Sequence, residues 1–120
     1  MKVAENMVSN WPEALVALTV APEHNKLLLE YDTVRVLDTF IRPNEITALH
    51  THRWPATLYI LSWSDFVRYG ENDNVVVDSR NFKASPQAST SFWTKPLTAH
   101  RLNNVGENYI HVISVENNSR

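Results

Sequence analysis

His50 and His52 stand one residue apart, and His100 follows far along the chain. In an extended strand, residues two apart project to the same side. Both imidazoles would then lie side by side, as two ligands of one metal ion must. Neutral imidazole suits Zn, Fe, Ni and Cu. A His-x-His pair alone says little, because two histidines on an exposed strand face are common. The third histidine lifts the claim. Of the remaining two, His24 sits in the loop-like run Ala21-Pro22-Glu23-His24-Asn25, and His111 reads as a strand histidine satisfied by neighbours. The chain has no cysteine, which removes disulfides, thiol catalysis and thiolate metal sites. Two glycines, Gly70 and Gly106, cannot build a phosphate loop, and no Ser-His-Asp arrangement with an elbow motif occurs.

The elements that must position these histidines are strands. Thr33 to Ile41 alternates, with Arg35, Leu37, Thr39 and Ile41 on one face and Val34, Val36, Asp38 and Phe40 on the other. Ile46 to His52 is extended, and Arg53-Trp54-Pro55 ends it. Thr57 to Trp63 and Asp65 to Tyr69 are strands, and the polar turn Gly70 to Asn74 leads to a return strand over Val75 to Ser79. Arg80 to Ser89 is a loop. Ser91 to Thr94, Ala99 to Asn103 and Tyr109 to Val115 complete the set, and Glu116 onward is a polar tail. Residues 1–12 read as an arm, Glu13 to Val20 as a strand or helical turn, and Lys26 to Tyr31 as a strand or bend. With glycine so scarce, asparagines such as Asn44 must serve the turns that need a positive φ. Short strands with frequent turns imply a sandwich or barrel. A jelly-roll arrangement would bring His100 alongside His50 and His52.

At 120 residues the chain suits one domain, and 43% hydrophobic with 20% charged residues can fill a core. A net charge of -2 without a Lys/Arg run carries no footprint for nucleic acid. No apolar run approaches a membrane span, and no signal core follows Met1-Lys2. The expectation is a cytoplasmic protein with neither a nucleic-acid nor a membrane partner.

Two segments resemble the motifs of the cupin superfamily (RmlC-like). Pro43-Asn44-Glu45-Ile46-Thr47-Ala48-Leu49-His50-Thr51-His52, followed by Thr57 to Ser62, looks like the first motif. Pro96-Leu97-Thr98-Ala99-His100-Arg101-Leu102-Asn103-Asn104 looks like the second, with Asn104 at the matching place. The likeness runs from about Tyr31 to Glu116. Asn44 stands where the first motif has a turn glycine, and Trp63-Ser64 where it closes on another. Ala56 and Thr57 stand where it has a glutamate ligand, so that carboxylate is missing.

The resemblance implies an all-β, cupin-type double-stranded β-helix, a jelly-roll barrel of about six to eight strands. It would span residues 31–116, between an N-terminal arm with short strands (1–30) and a polar tail (117–120). It also implies a homodimer sharing edge strands. His50, His52 and His100 would be the ligands of a divalent metal ion, whether Fe, Ni, Mn or Zn. Some cupins of the thiol dioxygenase type use three histidines alone. Tyr59, His111 and Thr57 are the further pocket candidates, and the site could also be metal-free. The functions implied are a metal-dependent enzyme acting on a small polar organic molecule by dioxygenase or isomerase chemistry, a non-catalytic small-molecule sensor, or a vestigial barrel serving as an interaction domain.

Overall fold

The computed structural model describes residues 23–84 and 86–118. The expected arm over 1–12 and the ambiguous stretch Glu13 to Val20 lie outside the described residues. Nine strands occur among the described residues: β1 (Asn25–Tyr31), β2 (Val34–Ile41), β3 (His50–His52), β4 (Ala56–Ser62), β5 (Phe66–Gly70), β6 (Val75–Asp78), β7 (Ser91–Thr94), β8 (Leu97–Asn104) and β9 (Ile110–Asn117). One 3-10 turn, Ser79–Asn81, follows β6, with the Asp78 side chain accepting from Arg80 N at its start.

The strands form two antiparallel sheets. One has the order β1-β2-β9-β4-β7 and the other β3-β8-β5-β6. From β2 onward the chain alternates between sheets, except at the β5–β6 hairpin. This is a double-stranded β-helix, but the expected barrel is not formed. Among the described residues each sheet keeps two free edges, β1 and β7 in one and β3 and β6 in the other. Strands β3 and β7, each at an edge of its sheet, are three and four residues long. The two layers are joined by chain crossovers and side chains instead.

The alternation within β2 sets the interior. Leu37 and Ile41 are almost fully buried, while β4 buries Ala56 and Ile60 and exposes Thr57, Tyr59 and Leu61. Ile41, Phe66 and Ile110 form the densest cluster, with Trp63, Val77, Leu102 and Val112 against it. Asn44 does make its turn at φ 69°, but the other positive values fall on Asp32, Asp73 and Ser89. Asn104 is wholly buried. It accepts from Ser64 Oγ and Gly106 N and donates to the carbonyls of Ile41 and Asn108, tying three loops together. No helix among the described residues is long and apolar enough to cross a membrane.

Candidate metal centre

His50 on β3 and His100 on β8 are direct cross-strand partners, so their imidazoles start from adjacent backbone positions. A bulge between His50 and His52 shifts the register, and His52 pairs with Leu97. All three rings still face the space between the sheets. Their centroids lie 4.4 Å apart for His50–His100, 5.0 Å for His50–His52 and 5.7 Å for His52–His100. One ligand nitrogen from each falls within 4.8 Å of the other two.

Local hydrogen bonds select which nitrogen that is. His50 Nδ1 lies 2.7 Å from the Ala48 carbonyl oxygen, and His100 Nδ1 lies 2.6 Å from that of Thr98. His52 Nδ1 lies 3.2 Å from Glu116 Oε2. Carbonyls and carboxylates only accept, so each Nδ1 is the donor, and in the neutral ring Nε2 keeps the lone pair. Burial, helped by the neighbouring His52, pushes His50 down to about 4. Burial, helped by His50 and His52, pushes His100 down to about 2. Both are therefore neutral donors near pH 7. Three imidazoles with tethered Nδ1 and free Nε2 fit one divalent ion.

Glu116 is the group that sequence reasoning missed. Reading Glu116 onward as a polar tail ended the last strand too early, since β9 runs to Asn117. On β9 Glu116 continues the inward series Ile110, Val112, Ser114, and period 2 extended by one step would have found it. It is 3% exposed. Its backbone lies between Arg35 on β2 and Ala56 on β4. Its Oε1 accepts from Arg35 Nε at 3.2 Å, and the Arg35 guanidinium lies 4.0 Å from the centroid of the Trp54 ring. Ala56 is one of the positions where the cupin motif places its glutamate. Here the directly opposite residue on the next strand supplies a carboxylate, and it holds a histidine from behind.

A cavity of about 470 Å³ opens beside the imidazoles. Its walls are mainly apolar and include Trp54, Leu58, Ile60, Phe92 and Val112. Ala56 lines it, whereas Thr57 and Tyr59 lie on the exposed face of β4 and do not. His111 also lies outside it, with Nε2 2.9 Å from Asp38 Oδ1. The pocket candidates Thr57, Tyr59 and His111 are thus not brought to the histidine cluster. Period 2 explains this, because the inward residues of β4 and β9 are their even-numbered neighbours in register with Ala56 and Ile110. Arg68, which no sequence motif singled out, does line the cavity.

No family model matches the chain, and no curated protein does. Solved structures do. A cupin domain from Bordetella pertussis Tohama I superposes with TM-score 0.62 at 12% identity, over 78% of this chain and 90% of that one. An RmlC-like cupin family protein with a double-stranded β-helix fold from Methanocaldococcus jannaschii gives TM-score 0.54 at 10% identity, over 78% and 77%. A polyketide cyclase from Streptomyces resistomycificus gives 0.53 at 14%, over 84% and 69%. At these identities the likeness concerns the fold.

Proposed function

Starting from a small single-domain cupin fold of the RmlC-like superfamily with a histidine-only triad, we propose that this chain holds one divalent metal ion and acts on a small organic molecule beside it. The observation that carries the reading is the shared arrangement of the three rings, each Nδ1 tethered and each Nε2 free. His50, His52 and His100 would hold the ion, whether Fe, Ni, Mn or Zn. A bound ion would supply Lewis acidity to a substrate oxygen or a water, and a redox-active one would open dioxygenase as well as isomerase chemistry. The chain's own residues prepare that site. The carbonyls of Ala48 and Thr98 and the carboxylate of Glu116 orient the imidazoles. Trp54 and Phe92 add aromatic faces to the cavity wall. A cyclase on the same fold supports the enzymatic reading only as far as fold allows.

Metal analysis of untagged protein tests the proposal. About one equivalent of Fe, Ni, Mn or Zn is expected. Absence of bound metal even after reconstitution would overturn it and favour the metal-free binding or sensor module. The β1 edge, unpaired among the described residues, with Leu27, Leu28 and Leu29 each about half exposed, supports a homodimer joined there. Sedimentation of wild type and Leu28→Glu tests this, and a monomeric wild type would refute it.

A further inference from the structure

Arg68 sits on β5 with Val77 of β6 on one side and Leu102 of β8 on the other. Leu102 is two residues along β8 from His100, on the same face. Such diagonal cross-strand neighbours lie about 7–8 Å apart, within reach of a long side chain. Consistent with this, the Arg68 charge bears on both His50 and His100. Its side chain lines the cavity. Other arginines have a carboxylate: Arg35 has Glu116, Arg80 has Asp78 and Arg101 has Asp73. Among the described residues Arg68 has none. Among these residues its Nε is buried without a hydrogen-bond acceptor, and its one ring contact is distant, 6.0 Å from the Phe66 centroid. Trp63 lines the same cavity, and its Nε1 is likewise buried without an acceptor. Guanidinium does not escape burial by losing its proton. A half-buried cation whose Nε is shut from water without an acceptor is costly to the fold unless a ligand offsets it.

We propose that Arg68 is the anchor for a carboxylate, and that the cavity takes a small organic monocarboxylate with an apolar body. Its carboxylate lies on the Arg68 fork, and its other end reaches towards the histidine cluster. A carboxylate matches the planar guanidinium in two parallel bonds. A dianion such as a phosphate monoester would bring a second charge that the apolar walls leave uncompensated. Trp63, whose Nε1 lacks an acceptor among the described residues, lines the same cavity. A volume of about 470 Å³ holds a molecule of this kind. The substrate class deepens the metal-centre reading, but the anchor itself stands without the ion.

Calorimetric titration tests it, with benzoate and hexanoate compared with benzamide and hexanamide. Each is titrated into metal-free and zinc-loaded protein. The acids are expected to bind at least about tenfold more tightly than the amides in both forms. Arg68→Met should abolish that preference without changing zinc content, and Arg68→Lys should keep part of it. Equal binding of acid and amide to wild type, or an intact preference in Arg68→Met, overturns the proposal. If Arg68→Met does not fold, the wild-type ratio and its reduction in Arg68→Lys decide. Acid binding that needs zinc and ignores Arg68 puts the carboxylate on the metal and sinks the anchor alone. An Arg68-dependent preference in a protein that takes up no metal sinks the metal reading and leaves the anchor standing.

Discussion

His52 Nδ1 and Glu116 Oε2, 3.2 Å apart, join the shortest strand of one sheet to the last strand of the other. The contact therefore orients an imidazole and ties the two layers together beside the cavity. Glu116 is itself held from the far side by Arg35, which lies over Trp54. Trp54, Arg35, Glu116 and His52 form one chain of contacts leading into the histidine cluster.

Glu116→Gln keeps the shape but weakens the acceptor behind His52 and leaves Arg35 without its counter-charge. Zinc affinity is expected to fall about 10- to 100-fold, as it does when a carboxylate behind a ligating imidazole is lost. Competition with a chromogenic chelator measures this. Stability of the metal-free variant should also drop, by about 2 kcal/mol, because both Glu116 bonds are charge-assisted and shielded from water. An unchanged affinity would show that Glu116 serves the sheets alone.

The ligand set is tested most directly by His50→Ala and His100→Ala. Each removes one of three donors, and the two that remain do not hold a divalent ion tightly. Metal content by mass spectrometry should fall from about one equivalent to a small fraction. Retention of a full equivalent in either variant would mean that the ion sits elsewhere.

Acid should destabilise the metal-free protein earlier than its carboxylates would. His50 and His100 are held at about 4 and about 2, chiefly by burial, against 6.5 in the unfolded chain. Below 6.5 the unfolded state therefore binds more protons than the fold. Stability is complete above that pH and declines as pH falls, through about 4 for His50 and further for His100. Urea unfolding at pH 7 and pH 5 should differ by on the order of 3 kcal/mol. In His100→Ala the difference should be roughly halved. A flat profile between these two values would contradict the neutral, buried state of the pair.

Asn104 and Gly106 carry the turn before β9, and with it the register of Glu116. Asn104→Ala strips partners from Ser64 Oγ, the Gly106 amide and two carbonyls in a wholly buried place. A loss of about 3 kcal/mol or more is expected in thermal or denaturant unfolding. Gly106→Ala would drive a methyl group into Ser64 Oγ and to 2.7 Å from the Asp65 amide nitrogen, so it should fail similarly. Asn108→Ala leaves the carbonyl that Asn104 binds in place and should be near neutral, which separates the two effects.

Much of this centre is written in local order. The His50-Thr51-His52 spacing, the alternation of β2, and the match of two motifs determine the fold family and the three imidazoles. Each depends on neighbours a few residues apart, where strand geometry leaves little choice. Other features are set by partners far along the chain. Closure of a sheet depends on whether its end strands find each other, and among the described residues β1 does not pair with β7 nor β3 with β6. Which face of β4 looks inward is decided by its pairing with β9, which turns Thr57 and Tyr59 out and Ala56 in. Glu116 reads as the start of a polar tail until Arg35 and Ala56 flank it and His52 meets it from the other sheet. Arg68 reads as an ordinary strand arginine until the fold half-buries it against the cavity, with no carboxylate among the described residues. Strand periodicity fixes the side to which a residue points, whereas the partner it meets there depends on long-range pairing that only the folded chain provides.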